Sequence, residues 1–293
     1  MGILTGKVAV ITGGTRGLGL AIARAYAGEG ATVVVGSRSE RSVQQAVQAL
    51  RETGAQASGL AVDVAIPEQV QALADHAVSE WGQFDVWVNN AGLSAPYGPT
   101  AHIPPQEFIR VIQTNITGTY NGSVTALRRF APRRSGKLIN LLGRGDHQPV
   151  PFQNAYASSK TWVRAFTLAL AKEYQDSGVG VFAFNPGLME TDMLDQVEAV
   201  AGYEDRLEPL RTVRRLWSKP PEVPARKAVW LASAATDGKT GLEVKELDFR
   251  TLVGGLLREG ARRVMGKPAP EIRLQVVTVP AEIPMRVETE QND

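Results

Sequence analysis

The stretch "VAVITGGTRGLGLAIARAYA" (residues 8–27) decides the fold of this chain. It begins with an apolar, β-branched run, continues through Gly13, Gly17 and Gly19, and ends in a helix pattern. Glycines let the backbone turn tightly and approach a ligand closely, and a helix N-terminus presents unpaired N–H groups with partial positive charge. A glycine trio between a strand and a helix therefore predicts a pyrophosphate-binding loop rather than a plain turn.

Short β-branched runs alternate with longer helix-period segments over most of the chain. The strand candidates are residues 7–12, 31–36, 57–62, 84–89, 137–142, 180–185 and 241–247. Helix patterns such as 18–30 and 42–54 end at glycines. This alternation predicts an α/β fold of one domain, a doubly wound (Rossmann-like) parallel sheet with helices on both faces. Ligands bind such sheets at the carboxyl ends of the strands.

The end of the chain has a different pattern. Residues 251–266 form a helix pattern with Val253, Leu257 and Val264 on one face, and residues 271–279 alternate as a strand does. The sequence therefore predicts a domain over 1–250 and a C-terminal extension over 251–293. The extension is too small for its own core, so we expect it to pack on the domain or on a neighbouring subunit.

Composition excludes several kinds of protein. The 293 residues include no cysteine, carry a formal net charge of +2, and have only three histidines, far apart at 76, 102 and 147. Disulfides and cysteine metal sites are excluded, and a histidine metal site is not expected. The interspersed charges predict no nucleic-acid binding. There is no signal-peptide layout and no apolar run of about 18 residues, so we expect a cytoplasmic protein with no membrane partner.

The end of the second strand bears on the cofactor. A carboxylate there would bind the ribose diol of NAD, but this chain has Ser37 followed by Arg38, and Arg16 lies in the glycine loop. Two guanidinium groups near the ribose favour a 2′-phosphate, which predicts NADP(H), although both arginines can also be simple surface residues. Asp63, after the third strand, either accepts from the adenine amino group or caps the next helix.

Five motifs together resemble those of one family. They are "TGGTRGLG" (12–19), "NNAG" (89–92), Asn115, "YASSK" (156–160) and "NPGLMET" (185–191). The sequence resembles the short-chain dehydrogenases/reductases over about residues 5–248. The resemblance implies a seven-stranded sheet in the order 3-2-1-4-5-6-7. It also implies subunit contacts through residues 104–131 and 154–177, hence a homodimer or homotetramer.

The resemblance also implies a set of cofactor-binding residues. Asn89 to Gly92 would steady the sheet beside the cofactor, and the Leu188 backbone and Thr191 side chain would bind the nicotinamide carboxamide. The full predicted set is Gly13, Thr15, Arg16, Gly17, Leu18, Gly19, Ser37, Arg38, Asp63, Val64, Asn89, Ala91, Gly92, Tyr156, Lys160, Pro186, Gly187, Leu188 and Thr191.

Tyr156 and Lys160 are four residues apart on a helix pattern, so they share a face. A free tyrosine has a pKa of about 10, and a nearby ammonium lowers it. We expect Tyr156 to give a proton to a carbonyl oxygen, or remove one from an alcohol, as a hydride moves to or from nicotinamide. The resemblance implies that Asn115 holds a water linking the lysine to solvent.

The family's third catalytic residue, a serine thirteen positions before the tyrosine, is replaced by Gly143. Losing one hydrogen-bond donor to the substrate oxygen costs about 10²–10³ in rate. Arg144, His147, Gln153 and Asn154 are on the same loop and could replace it, although each can also be an exposed loop residue. We take Gly143, Arg144, His147, Asn154 and Met189 as the candidate substrate residues.

The remaining candidate lining is mostly apolar, as small-molecule pockets are. It comprises Leu93, Pro96, Tyr97, Leu142, Phe152, Leu188, Met193 and Leu194, and the insert 192–219 would close over the substrate. The sequence thus predicts an NADP(H)-dependent oxidoreductase acting on a carbonyl or secondary alcohol of a partly apolar small molecule. The alternatives are reduction of an activated C=C bond and a non-catalytic NADP-binding protein.

Overall fold

A seven-stranded parallel sheet forms the centre of the molecule. The structure is a computed structural model, and it describes residues 2–247, 249–266, 268 and 272–282. The strands are β1 (Val8–Thr12), β2 (Thr32–Ser37), β3 (Ala57–Ala61), β4 (Val86–Asn89), β5 (Gly136–Leu141), β6 (Val179–Asn185) and β8 (Glu243–Lys245), with β7 (Gln196–Val200) and β9 (Gln275–Val279) in a second sheet. The main order is β3-β2-β1-β4-β5-β6-β8. This confirms the predicted order, with β8 as its seventh strand.

The helices lie between the strands, where the sequence pattern places them. They are α1 (Gly17–Gly28), α2 (Glu40–Glu52), α3 (Pro67–Trp81), α4 (Pro105–Val111), α5 (Gly118–Arg133), α6 (Asn154–Glu173), α7 (Asp192–Asp195), α8 (Glu208–Trp217), α9 (Glu222–Ala232) and α10 (Phe249–Val264). A π-helical turn, Ile112–Thr117, joins α4 to α5. Gly30 and Gly54 follow the ends of α1 and α2 with φ of 84° and 85°, a conformation that suits glycine as a helix stop.

Two hydrophobic layers cover the two faces of the sheet. Successive strand residues point to opposite faces, so Ile11 packs in the layer that contains α1, α2 and α9, while Val10 packs in the layer that contains α3, α5 and α6. Both side chains are fully buried. This explains why the strands read as continuous apolar runs rather than as an alternating pattern.

The insert and the C-terminal extension join in a small second sheet. Strand β7 of the insert pairs in parallel with β9 of the extension, and on the other side Tyr97 bridges to Ala199. The strand predicted over 271–279 is present at 275–279, whereas β7 was not predicted. Arg214 of α8 is buried and donates to the carbonyl oxygens of Leu194 and Arg273, at 2.6 and 2.5 Å, so it also ties the insert to the extension.

The single chain leaves Leu257 and Val264 of the expected packing face of α10 68% and 89% exposed, so packing of this face on a neighbouring subunit stays a prediction. Within the chain, α10 lies against α8 through Gly255, where a Cβ would meet the Leu216 carbonyl oxygen at 2.6 Å. The Trp217 indole donates to the Leu252 carbonyl oxygen at 3.1 Å. Close backbone approach at a glycine determines the contact, which an apolar-face argument does not detect.

No helix in the described part of the chain combines the length and the apolar character needed to cross a membrane. Residues 267, 269–271 and 283–293 of the predicted extension lie outside the described residues.

Candidate active site

The glycine loop forms a cradle at the carboxyl end of β1. Gly13 and Gly17 have φ of 64° and 51°, which is left-handed backbone that favours glycine. A Cβ on Gly19 would collide with the Gly13 carbonyl oxygen and the Asn90 side chain. No side chain caps the N-terminus of α1, so its first N–H groups are available to an anion. These features fit the pyrophosphate of a dinucleotide.

A groove runs from this loop across the ends of the strands to Tyr156. Among the predicted cofactor residues, those lining it are Gly13, Thr15, Arg16, Gly17, Leu18, Gly19, Ser37, Arg38, Asp63, Val64, Ala91, Gly92, Tyr156, Lys160, Pro186 and Thr191. Asn90, of the predicted Asn89–Gly92 segment, also lines it, and sequence reasoning missed Gly36, Val62, Thr114 and Leu141. Three of these four lie at or next to the end of a strand, so the rule that ligands collect at strand ends would have found them.

Three predicted cofactor residues lie outside the lining. Asn89 is buried, where it accepts from the Trp87 indole at 2.8 Å and donates to Asn140 at 2.8 Å. This network fixes β4 against β5, so Asn89 supports the groove from behind. Gly187 donates its N–H to Asn185 Oδ1, and the Leu188 carbonyl accepts from the Lys219 N–H. The second bond ties this loop to the segment after α8.

Asn90 has a structural role beside the glycine loop. Its side-chain amide donates to the carbonyl oxygens of Thr12 and Gly13, at 3.0 and 3.1 Å. Asn90 thus holds the glycine loop in shape from the neighbouring strand.

The ribose end of the groove is positively charged. Arg16 and Arg38 are exposed and, among the described residues, neither guanidinium group makes a hydrogen bond or an ion pair. Two unpaired guanidinium groups on one rim suit a phosphate ester. Asp63 lines the groove, and its Oδ1 also accepts from the Ala65 N–H at 2.9 Å. That bond braces the turn before α3, so one oxygen has a structural role.

Lys160 is buried in α6 behind Tyr156. Its Nζ donates to the Leu141 carbonyl oxygen at 2.9 Å and lies 5.7 Å from the centroid of the Tyr156 ring. Burial lowers the pKa of Lys160 to about 8, and the carboxylate of Asp146 opposes that shift. Lys160 is therefore partly neutral slightly above physiological pH.

The pKa of Tyr156 moves opposite to the sequence-based expectation. Burial of the phenol raises it to about 12, and the negative charge of Asp146 adds to the rise. Desolvation thus outweighs the nearby ammonium in this structure. The Tyr156 hydroxyl makes no hydrogen bond to any described residue and lines the groove, so its proton is available to a ligand.

Asn115 lies in the π-helical turn and is fully buried. Its Nδ2 donates to the Leu93 carbonyl oxygen and to Ser159 Oγ, both at 2.9 Å, and its Oδ1 accepts from the Leu93 N–H at 2.8 Å. Asn115 therefore fastens the loop after β4 to the helix that carries Lys160. None of these contacts tests whether Asn115 holds a water that links Lys160 to solvent, so that role stays a prediction.

Gly143 lies directly beside the Tyr156 hydroxyl. A Cβ at this position would stand well inside contact distance of Tyr156 Oη, 3.2 Å from its Cζ and 3.6 Å from Lys160 Cε. The tyrosine thus occupies the space that a serine side chain would need. The glycine is a steric requirement of this tyrosine position, which the sequence alone did not indicate.

Two of the predicted replacements for the serine lie at the surface. The His147 ring is partly exposed and lies between Asp146, Glu243 and Lys245, with Nδ1 at 3.1 Å from Asp146. Arg144 is exposed. Neither lines the groove or the neighbouring cavity. Both residues lie on the exposed side of the turn after β5, and their contact with a substrate stays a prediction.

An apolar cavity of about 350 Å³ opens beside Tyr156. It is lined by Ala95, Pro96, Gly98, Thr100, Ile103, Pro105, Phe108, Ile109, Phe152, Gln153, Asn154, Ala155 and Tyr156. The Tyr97 ring lies against the Phe152 ring, with centroids 5.5 Å apart and planes tilted by 39°. Asn154 donates weakly to Thr100 Oγ1 at 3.3 Å, while Met189, with Leu93, Leu142 and Met193, lies on the groove side. Tyr156 is the residue common to both spaces.

Across the described residues, no group of three or more histidines and carboxylates is placed to hold a metal ion.

The fold and this groove define a nucleotide-dependent oxidoreductase of the doubly wound α/β class. Residues 7–201 match the family model described as short chain dehydrogenase, so the chain belongs to that family. It is 38% identical over 240 residues to 3beta-hydroxysteroid dehydrogenase 1 of Eggerthella lenta, covering 81% of this chain and 91% of the relative.

Two solved structures are similar throughout the domain. Actinorhodin polyketide ketoreductase with NADPH has a TM-score of 0.74 and 29% identity, over 82% of this chain and 95% of that chain. The 3-ketoacyl-(acyl-carrier-protein) reductase of Brucella melitensis, complexed with NADH, has a TM-score of 0.75 and 27% identity, over 85% and 99%. These relatives establish a dehydrogenase/reductase acting on a carbonyl/alcohol pair. The first of these structures contains NADPH and the second contains NADH.

Proposed function

We propose that this protein is an NADP(H)-dependent oxidoreductase that interconverts a carbonyl and a secondary alcohol on a partly apolar small molecule, with Tyr156 as the acid/base. The observation that carries the proposal is the position of Tyr156. Its hydroxyl makes no hydrogen bond with the part of the chain that the structure describes, and it lies where the cofactor groove meets the apolar cavity. A substrate in the cavity would place its oxygen at that hydroxyl.

The cofactor would lie along the groove with its pyrophosphate on the N-terminus of α1. The pair of unpartnered arginines, Arg16 and Arg38, supports a 2′-phosphate and hence NADP(H) over NAD(H). The nicotinamide ring supplies or accepts the hydride. Thr191 and Pro186 also line the groove.

In reduction, the Tyr156 O–H bond breaks and its proton passes to the substrate oxygen as the carbon receives hydride. In oxidation, Tyr156 must first lose its proton. The raised pKa of Tyr156, due to burial and Asp146, favours the proton-donating form of the free protein at neutral pH. Lys160 positions the ribose and the phenol and, while charged, stabilises a phenolate.

The cavity supports a substrate with an apolar body. Its lining is aliphatic and aromatic apart from Thr100, Gln153, Asn154 and Tyr156. A volume of about 350 Å³ accommodates a group of roughly ten or more heavy atoms. The names of these relatives refer to steroid and ketoacyl substrates. Such compounds combine an apolar body with a carbonyl or hydroxyl. We propose cyclic and β-keto compounds as the first classes to test.

A single assay tests the proposal. NADPH and NADH oxidation would be followed at 340 nm with a panel of cyclic ketones, a 3-ketosteroid, β-keto esters and enones, using wild type and Tyr156→Phe. We expect turnover of a ketone with NADPH that Tyr156→Phe abolishes. Turnover of enones alone would support C=C reduction instead, and tight NADPH binding without turnover of any compound would support a non-catalytic protein.

We also propose a homodimer or homotetramer. Phe108, Ile109 and Tyr120 on α4 and α5 are 37–50% exposed, which is unusual for large apolar side chains clustered on adjoining helices. Sedimentation equilibrium of wild type and of Ile109→Asp would test this surface, since a charge there should weaken the association.

A further inference from the structure

Phe152 lies in the turn before α6 with a backbone conformation that is rare for its residue type. Its φ is 65°, in the left-handed region where a side chain crowds the backbone. Among the described residues, Arg134 is the one other non-glycine residue with a positive φ, and it ends α5, as left-handed residues commonly end helices. Phe152 does not end a helix, so its surroundings must hold it in this conformation.

The backbone of Phe152 is held by the loop that follows β4. The Phe152 carbonyl oxygen accepts from the Gly98 N–H at 2.9 Å. The preceding residue, Tyr97, donates its N–H to the Glu198 carbonyl oxygen at 2.8 Å and accepts from the Val200 N–H at 2.9 Å. Phe152 is therefore joined through this loop to strand β7 of the insert.

The ring of Phe152 is packed by three side chains from the same two segments. The ring centroids of Tyr97 and Tyr203 lie 5.5 and 5.9 Å from it. The guanidinium carbon of Arg206 lies 5.1 Å from the same centroid, within the range of a cation–π contact. Arg206 is exposed, and its guanidinium makes no hydrogen bond or ion pair with any described residue, so it packs on the rings alone. We call these four side chains the Phe152 cluster.

The C-terminal strand β9 fixes the part of the insert that contributes the second tyrosine and the arginine of the cluster. The Ala201 N–H donates to the Val279 carbonyl oxygen at 3.0 Å, and the Thr278 hydroxyl donates to the Glu204 carboxylate at 2.8 Å. These two bonds flank the tyrosine of the insert. Strand β9 therefore supports the packing of the Phe152 ring through the insert.

Phe152 is the member of the cluster that lines the apolar cavity beside Tyr156. The other three members do not line it, so a ligand in the cavity meets the cluster at Phe152. A ring that is held through its own backbone and by three neighbours resists displacement, because close-packed side chains have little free space. The ring therefore sets a boundary of the space in which Tyr156 would meet a substrate.

We infer that Phe152 is a specificity-determining residue, the fixed aromatic wall that limits the size of the apolar body of the substrate. This inference rests on the proposed function, because it takes the cavity as the place where that body binds. The insert and β9 position Phe152, so a segment near the end of the chain sets the size selectivity of the active site. The substrates are then ketones whose apolar body fits the cavity with the ring in place.

Phe152→Ala removes the ring and tests the wall directly. Reduction of cyclohexanone and of 4-phenylcyclohexanone by NADPH would be followed at 340 nm with wild type and with the variant. We expect the ratio of kcat/KM for the bulky ketone over the compact one to rise by about tenfold or more, since the fit of a single group in an apolar pocket changes discrimination by about 10–200-fold.

Binding without turnover gives a second measurement. The Kd of each ketone would be obtained by ligand-observed NMR titration of protein saturated with NADP⁺, which cannot reduce a ketone. The ratio of the two Kd values should move in favour of the bulky ketone by about tenfold. Phe152→Gly serves if the alanine variant does not fold. Because glycine adopts this φ without strain, Phe152→Gly should melt at a higher temperature than Phe152→Ala.

Arg206→Ala tests the positioning of Phe152 by the insert. It should raise the kcat/KM ratio by about two- to fivefold, the size of an exposed cation–π contact. Arg206→Lys should restore the wild-type ratio, because an ammonium can also lie over the ring. Tyr174→Ala is the matched control. This half-buried aromatic residue follows α6 and lines neither the cavity nor the groove, so its loss should leave the ratio at the wild-type value.

Unchanged kcat/KM and Kd ratios in a folded Phe152→Ala or Phe152→Gly protein would overturn the inference, as would an equal rise in Tyr174→Ala. An unchanged ratio in Arg206→Ala would overturn the part that assigns the positioning to the insert. The proposed function fails separately, through a Tyr156→Phe protein that keeps its turnover. The Kd ratio does not depend on turnover, so the two failures are distinguishable.

Discussion

Adding a single methyl group at Gly143 should disable the enzyme without unfolding it. In Gly143→Ala the new Cβ would overlap the Tyr156 hydroxyl, with the next atoms at 3.2 and 3.6 Å on Tyr156 Cζ and Lys160 Cε. The overlapped atom is the tip of a side chain that has open groove and cavity beside it. The ring can therefore swing aside, and the cost falls on the position of the hydroxyl rather than on the core.

The size of the loss follows from that displacement. Carbon and oxygen atoms at optimal contact are more than about 3 Å apart, so the hydroxyl must move by about 1 Å. A misplacement of about 1 Å at a reacting group can cost about 10²-fold in rate. We expect kcat/KM for a ketone to fall by about 10² in Gly143→Ala, with NADPH affinity within about threefold of wild type. The melting temperature should change by only a few degrees.

Gly143→Ser separates the steric effect of the added Cβ from the hydrogen-bonding effect of a hydroxyl. Read from the sequence alone, this variant could either raise activity on small ketones or lower it on the native substrate. The structure favours loss, because serine brings the same Cβ as alanine. A serine hydroxyl that reaches the substrate can return part of the loss, since one such donor contributes about 10²–10³ in favourable geometry.

The assay is steady-state NADPH oxidation at 340 nm, with thermal melting and NADPH titration as structural controls. Gly28→Ala on α1 is the matched control, because nothing lies within 4 Å of its added Cβ. It should retain wild-type rates. The steric reasoning is refuted if Gly143→Ala turns over a ketone as fast as wild type. A Gly143→Ser enzyme that exceeds wild type by tenfold would show instead that the site simply lacks a donor.

Three further predictions concern the other parts of the site. Tyr156→Phe should lose nearly all turnover and keep NADPH affinity, because only the transferable proton is removed; a variant with a tenth of wild-type activity would exclude Tyr156 as the acid/base. Arg38→Asp should lower kcat/KM with NADPH by at least about tenfold and spare NADH, since it replaces attraction of the 2′-phosphate by repulsion; equal or better use of NADH by wild type would contradict the cofactor assignment. Ending the chain at residue 266 removes β9 and should raise KM for a bulky ketone more than it lowers kcat, because β7 then loses its partner strand; unchanged kinetics in a folded protein would show that β9 has no part in substrate binding.

Most of the main sheet could be predicted because its determinants are local. The run Val8–Thr12 is buried at every residue, and β-branched residues in such a run have few other uses. The glycine loop was equally readable, because left-handed backbone at Gly13 and Gly17 requires the residue type that the sequence shows. Groove-lining residues then follow from the topology, which brings the ends of separate strands to one edge.

The parts that escaped prediction depend on contacts between distant segments. Strand β7 is five residues long with an alternating pattern, and its partners are β9 and Tyr97, about 80 and 100 residues away along the chain. The contact of α10 with α8 escaped prediction because Gly255 packs by its lack of a side chain. The direction of the Tyr156 pKa shift was missed because the Lys160 spacing is visible in sequence, while the burial of the phenol is not.

The turn Gly143–Asp146 also shows why the departure from the family pattern at Gly143 need not mean a loss of catalytic activity. Glycine at 143 gives the Tyr156 hydroxyl its place, and aspartate at 146 sets a negative charge behind it. The two residues are joined by a backbone hydrogen bond and by the shared Asn185 amide. The Asp146 carboxylate is buried and accepts from the Asn185 amide, and burial of a charge is costly unless neighbouring groups compensate it. A Gly143→Ala, Asp146→Asn double variant should accordingly show non-additive losses in kcat/KM, because both changes act on one hydroxyl. Strictly additive losses would mean that the two residues act on the reaction independently.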